Sequence, residues 1–245
     1  MNFLIYGINP VLEALKSNPK SIEKIWLEKK SLSGKKHQIL EKAKKLGIPV
    51  KVSENPPPKV PPHISTQGVV AYLLTFGYAD LEDIVANWEK RKEVPLVVLL
   101  DEVEDPHNVG AIIRSADAAG AHGVVIPKVR GCEVTETVVK VSSGAVFNLP
   151  ITKVTNLKHA IKFFKEKGLW VLGLTHKADQ SIYRLDLKIP LVLIVGNEGR
   201  GIRPGILEQC DFLAKIPMKG KVESLNVSVA TAIALFETLR QRSMV

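Results

Sequence analysis

Two rhythms of apolar and polar residues run along the chain and divide it. In the first part the rhythm is short. Residues 22–29, IEKIWLEK, alternate Ile22, Lys24, Trp26 and Glu28 with Glu23, Ile25, Leu27 and Lys29, and their β-branched and aromatic content favours a strand. Ahead of it, GINPVLEALKSNP from Gly7 predicts a short helix. Asn9 is its expected N-cap, Pro10 its first helical residue, Val11, Leu12 and Leu15 its apolar face, and Pro19 helps end it. KKHQILEKAKKLG predicts an amphipathic helix closed by Gly47. Further strands are expected around residues 49–52 and 68–74. Between them NPPPKVPPH, with five prolines, forbids helix or central strand and reads as a stiff surface loop rather than a peptide-recognition motif. Residues 1–76 are thus a small α/β module.

From Pro95 the rhythm changes to continuous apolar runs alternating with helical segments. LVVLLDE (96–102) and HGVVIP (122–127) are strands of the kind covered on both faces, with the helix NVGAIIRSADAAG between them, so they form a βαβ unit. LWVLGLTH (169–176) and PLVLIVGNE (190–198) are two more buried strands; NLKHAIKFFKEKG before the first is an amphipathic helix closed by Gly168. The chain finishes in a long helix, SLNVSVATAIALFETLRQR, whose residues 227–236 are apolar or small nearly all round, which demands burial here or at a subunit interface. Residues 95–245 therefore read as a parallel α/β domain. Residues 77–94 read as a linker, with a short helix from Asp80 onward.

Composition narrows the class. The 245 residues are 45% hydrophobic and 24% charged, a globular balance, with no apolar run long enough to span a bilayer and no signal-peptide pattern at MNFLIYGINP. A cytosolic protein is expected. Cys132 and Cys210 form no CxxC pair, and no histidine stands at zinc spacing, so neither a disulfide framework nor a structural metal is expected. The net charge of +9 points to an anionic partner. Its distribution is uneven: net +7 over residues 1–79, −2 over 80–94 and +4 over 95–245. A basic front module on a less charged body suits RNA docking beside a catalytic domain.

Three segments can carry chemistry. In DPHNVGAIIRSADAAG, Asn108 follows a buried strand, where ligand-facing loops of parallel sheets emerge, and Arg114 lies further along the helix beside small Ala111, Ser115 and Ala118, free to reach phosphate or ribose. The same residues also read as an Asn cap and an exposed surface arginine. LIVGNEGRGI places Gly196, Gly199 and Gly201 after an apolar strand, in a spacing that is neither the dinucleotide fingerprint nor a Walker A loop. Its Glu198 can accept hydrogen bonds from an arginine or a ribose hydroxyl, or be a solvated turn acid. In IPMKGKVESLNVSVA, Ser224 can cap the last helix, while Asn226 and Ser228 crowd polar groups onto its opening, as a ligand-facing end would.

Together NVGAIIR, GNEGRGI and IPMKGKVESLNVSVA, in that order, resemble the motifs of the SpoU (TrmH) family of SPOUT-class RNA ribose 2′-O-methyltransferases. SSGAVFNLP (142–150) is similar to a further family element. GINPVLEAL resembles the start of the ribosomal-protein-like RNA-binding domain of its RlmB-like subgroup, although STQGVVA at 65–71 has Thr66 where many relatives have histidine. The resemblance implies a parallel-sheet domain with a deep trefoil knot, and S-adenosylmethionine bound by groups around Thr175, Gly196, Asn197, Ile216, Leu225 and Asn226. It implies a homodimer joined partly through the last helix, with Arg114 activating the 2′-hydroxyl near the partner's cofactor and Asn108, Glu198, Ser224 and Asn226 shaping the site, without metal. The implied target is the ribose of a guanosine in the peptidyl-transferase region of 23S ribosomal RNA. A transfer-RNA methyltransferase and a non-catalytic ribosome assembly factor are the alternatives; a Rossmann dehydrogenase is disfavoured because its glycine spacing and following acid are missing.

Overall fold

The structure, a computed structural model, describes residues 3–243 apart from 33, 56, 58, 59, 61–63 and 75. The chain forms two units, Met1–Gly77 with Val134–Asn148, and Tyr78–Glu133 with Leu149–Val245.

The first unit is built on a four-stranded sheet. β1 (Phe3–Tyr6) pairs antiparallel with β4 (Val69–Leu73), β4 antiparallel with β2 (Ile22–Glu28), and β2 parallel with β3 (Val50–Ser53). β2 forms where its alternation placed it, but Ile25, Trp26 and Leu27 are all buried, so both of its faces are covered there, and its register against β4 shifts between Ile22 and Lys24. β1 is too short for a rhythm to stand out and is not expected from the pattern. Helices α1 (Ile8–Ser17) and α2 (Lys35–Lys45) match the two expected helices. Asn9 does not cap α1. Gly7, at φ 97°, holds the N-cap position, and the first free amide, of Ile8, donates to Gln67 Oε1 at 3.0 Å, so a distant turn supplies the missing acceptor. Most of NPPPKVPPH lies outside the described residues.

The segment Val134–Asn148, numbered with the second domain, stands with this first unit. Its helix α5 (Glu136–Val141) presents Glu136, which accepts from Leu4 N at 3.0 Å and from the Tyr6 hydroxyl at 2.7 Å. Burial and the neighbouring Glu136 carboxylate push the Tyr6 phenol pKa upward. Close packing continues at Gly144, where a Cβ would stand 2.9 Å from Pro10 Cα.

The second unit is a six-stranded, wholly parallel sheet in the order β10-β8-β9-β5-β6-β7. Its strands are β5 (Leu96–Asp101), β6 (Gly123–Pro127), β7 (Ile151–Val154), β8 (Trp170–Leu174), β9 (Leu191–Gly196) and β10 (Phe212–Ala214). Alternate residues of β5 serve the two faces: Val97 and Leu99 join the core with Phe164 and Ile161 of α6 (Leu157–Glu166). On the other face α4 (Pro106–Ala118) packs against α8 (Val227–Ser243). Residues 77–94 are no free linker. They carry α3 (Leu81–Arg91), whose Ile84 and Trp88 are buried in the same core, and Gly123 is the one residue that leaves room for Ile84 beneath it, since a Cβ there would lie 2.6 Å from the Ile84 side chain. Among the described residues no helix is long and apolar enough to cross a membrane.

Candidate active site

All six strands of the second unit run the same way, so their carboxyl ends share one edge. Central β5 and β9 set Asp101 directly beside Gly196. Beyond Gly196 the chain turns on itself: Asn197 N donates to Gly201 O (3.1 Å), Gly201 N returns a bond to Asn197 O (2.8 Å), and Asn197 Oδ1 accepts from Gly199 N (3.0 Å) and Arg200 N (3.2 Å). These amides are spent inside the turn. The glycines therefore secure its shape rather than a row of free donors: a Cβ on Gly196 would overlap the backbone of Gly201 and Ile202, and Gly201 sits at φ 71°.

The turn projects Glu198 toward α4 and the start of α8. Glu198 Oε1 accepts from Asn108 Nδ2 at 2.5 Å, and Asn108 Oδ1 accepts from Asn226 Nδ2 at 3.0 Å. Asn226 Oδ1 in turn accepts from Ser228 N (2.9 Å), Val229 N (3.4 Å) and the Ser228 hydroxyl (2.6 Å). Asn226 is therefore the N-cap of α8, the role expected of Ser224, because the helix begins two residues later than Ser224 would require. Asn108 is not a cap either. Asp105 caps α4, accepting from His107 N at 2.9 Å, which leaves the buried Asn108 amide free to join Glu198 to Asn226.

Beside this chain of three polar residues lies a cavity of about 340 Å³, at the small end of the range for small-molecule sites. Thr175, Gly196, Asn197, Ile216 and Leu225 line it, as do Glu198 and Ser224. Asn226 reaches the site through its bond to Asn108. His176, Met218 and Glu223 also line the cavity; nothing in their local sequence pattern singled them out. Leu174, Val195, Ile216 and Leu225 supply apolar walls for a flat ring, and Thr175 and Glu198 supply polar edges, a donor and acceptor set that fits an adenosine-bearing cofactor. Among the described residues no group of three or more His, Cys, Asp and Glu is arranged as a metal site, and both cysteines are free.

Arg114 stands apart. It is exposed on α4 and absent from the cavity wall, and its guanidinium makes no hydrogen bond or ion pair with another described residue. A second cation, Arg203, is engaged: its backbone amide and Nε each lie 2.8 Å from the Asp101 carboxylate, and Nη2 lies 2.7 Å from it. Hydrogen bonding to Asp101 raises the Arg203 pKa, so the guanidinium is permanently charged. Asp101 and Arg203 are far apart in sequence, and no spacing rule connects them.

Known proteins resemble this chain in sequence and in fold. Residues 4–79 match the model described as RNA 2′-O ribose methyltransferase substrate binding, and residues 95–236 that of the SpoU rRNA methylase family. The chain is 42% identical to YacO of Bacillus subtilis, which carries the name of a TrmH family tRNA/rRNA methyltransferase, over 98% of this chain and 96% of that one. It is 41% identical to the 23S rRNA (guanosine-2′-O-)-methyltransferase RlmB of Pseudomonas putida, over 98% and 97%. The crystal structure of the SpoU methyltransferase AviRb from Streptomyces viridochromogenes in complex with the cofactor AdoMet superposes with a TM-score of 0.82 at 27% identity, covering 99% of this chain and 91% of that one. With the family model spanning more than half of the chain and full-length relatives at this identity, the protein belongs to the SpoU rRNA methylase family.

Proposed function

We propose that the protein methylates the ribose 2′-oxygen of a guanosine in 23S ribosomal RNA, using S-adenosylmethionine. The observation that carries this reading is the cavity at the carboxyl edge of β8 and β9, walled by Thr175, Gly196, Asn197, Ile216 and Leu225 and joined through Glu198 to Asn108 and Asn226. Likeness to RlmB over nearly the whole length supports the choice of target, because it includes the basic front module as well as the methylase domain.

When bound, the cofactor supplies a methyl group already activated on a sulfonium. The chain has to align the 2′-oxygen with it and manage the hydroxyl proton. Glu198, held by Asn108, orients the ribose, and Ser224 offers a hydroxyl at the cavity rim. Arg114 stabilises the oxygen as it becomes anionic or clamps the adjacent phosphate; a guanidinium offers donors and no acceptor, and is poorly suited to take the proton itself.

The protein acts as a cytoplasmic homodimer in this reading. Val229 and Phe236 of α8, seven residues apart on one helix face, are each 47% exposed, as an unpaired interface stripe would be, and Arg114 on the adjacent α4 is free to enter a partner's site. A trefoil knot is part of the same reading: from β9 the chain passes to β10 on the outer side of β8, then returns through residues 216–225 to line the cavity it left.

The test is transfer of labelled methyl from S-adenosylmethionine to unmodified 23S ribosomal RNA and to bulk transfer RNA, with fragment mapping. Label on one 23S guanosine ribose is expected. Label confined to transfer RNA would overturn the target, and no label with retained cofactor binding would overturn catalysis on free RNA.

A further inference from the structure

The sheet edge beneath the Gly-rich turn holds two carboxylates that the reaction does not need. Asp101 has no exposed surface, the most deeply buried acid among the described residues, and Glu102 is only 4% exposed. A buried carboxylate is costly to desolvate and must be matched by donors of fixed geometry. Asp101 finds its donors on one residue, the backbone amide, Nε and Nη2 of Arg203. Such a fork is a shape that arginine alone provides. Glu102 adds a second grip. Its backbone lies in the left-handed region at φ 58°, unusual for a residue with a side chain, and its carbonyl accepts from Asn197 Nδ2 at 3.0 Å. Its carboxylate reaches Arg203 Nη1 at 3.3 Å and Arg130 Nη1 at 3.5 Å.

Asn197 and Arg203 flank the turn that carries Glu198, so two consecutive residues of β5's end hold both of its feet. An ion pair buried in this way adds little to stability compared with apolar packing, but it fixes one geometry. We propose that Asp101, Glu102 and Arg203 are positioning residues that hold the Asn197–Gly201 turn in its cofactor-binding shape. This rests on the reading of the cavity as the S-adenosylmethionine site.

The experiment measures S-adenosylmethionine and S-adenosylhomocysteine binding to the full-length protein by calorimetry, with KM for cofactor and for RNA in parallel, for the wild type, Asp101→Asn, Arg203→Lys and Arg203→Met. Absence of binding to the wild type would refute the cofactor reading itself. Given wild-type binding, Arg203→Met and Asp101→Asn are expected to raise both ligand dissociation constants at least about tenfold. Arg203→Lys should fall between, because it keeps the charge and loses the fork, and KM for RNA should stay within about twofold throughout. Arg203→Lys keeps a cation beside the buried Asp101, so it decides the matter even where Arg203→Met or Asp101→Asn does not fold. Arg203→Met binding both ligands as the wild type does, or losing RNA and cofactor affinity in equal proportion with a falling Tm, would overturn the proposal.

Discussion

Replacing Asn226 separates two roles that one side chain performs. Its Oδ1 caps α8 by accepting from Ser228 N and Val229 N, and its Nδ2 supplies the donor that Asn108 Oδ1 receives at 3.0 Å. Asn226→Ala removes both. Loss of an asparagine cap costs about 1 kcal/mol, and a buried acceptor left unpaired at Asn108 about 1–3 kcal/mol, so the variant should lose roughly 2–4 kcal/mol. Asn226→Asp keeps an acceptor for the two amides and places a negative charge at the positive end of the helix, but has no donor for Asn108. It should be more stable than the alanine variant by about 1 kcal/mol, or roughly 2–4 °C in Tm for a chain of this size. Both variants release Asn108 and with it Glu198, so methyl transfer at saturating cofactor should fall about tenfold or more in each, the equivalent of one hydrogen bond of about 1.4 kcal/mol. Thermal unfolding and initial-rate methyl transfer read the two effects separately. Full activity in Asn226→Asp would refute the coupling of Asn226 to Glu198 through Asn108, and equal Tm values would refute the cap.

Gly196→Ala should weaken cofactor binding at least about tenfold by calorimetry while circular dichroism stays native, because its Cβ forces the turn away from Gly201 and Ile202; unchanged affinity would show that the turn yields without consequence. Arg114→Ala should keep cofactor affinity within about twofold and lose about 10²–10³ in turnover, and a variant that turns over normally removes Arg114 from the mechanism. His122, 1% exposed, has its pKa lowered to about 4 by burial and the nearby Arg91, against the opposing pull of Glu93. The folded state holds it neutral and the unfolded chain protonates it, so its contribution is complete above pH about 6.5 and is lost as pH falls toward about 4, up to about 3 kcal/mol. Urea unfolding at pH 7.5 and 4.5 should show a smaller loss in His122→Asn than in the wild type; equal losses would mean that other groups drive the acid sensitivity.

Much of this was legible along the chain because its causes are local. Alternation set β2, continuous apolar runs set β5, β6, β8 and β9, and the glycines after α2 and α6 marked where those helices stop. GNEGRGI and IPMKGKVESLNVSVA each supply residues that line one cavity, because both lie at the same sheet edge, whereas NVGAIIR meets them only through the bond of Asn108 to Glu198 and its Arg114 stays off the wall. Short elements such as β1 and β10 were not legible: three or four residues carry too little pattern, and their pairing partners alone make them strands. Caps also moved. Asn9, Ser224 and Asn108 are good capping residues by type, yet a helix starts where its packing begins, and Gly7, Asn226 and Asp105 occupy those positions.

What tertiary structure alone decided depends on groups distant in sequence. α3 is part of the second unit because Ile84 and Trp88 have core to enter, and Val134–Asn148 stands with the first because Glu136 satisfies Leu4 and Tyr6. Asp101 meets Arg203 only because β5 and β9 are neighbours in the sheet, although β6, β7 and β8 intervene in the chain. Local sequence determines which segments can be strands, helices and turns, since those choices depend on a residue's near neighbours. Which of their ends converge, and so which side chains share a proton, a charge or a ligand, follows from strand order, which no local pattern encodes.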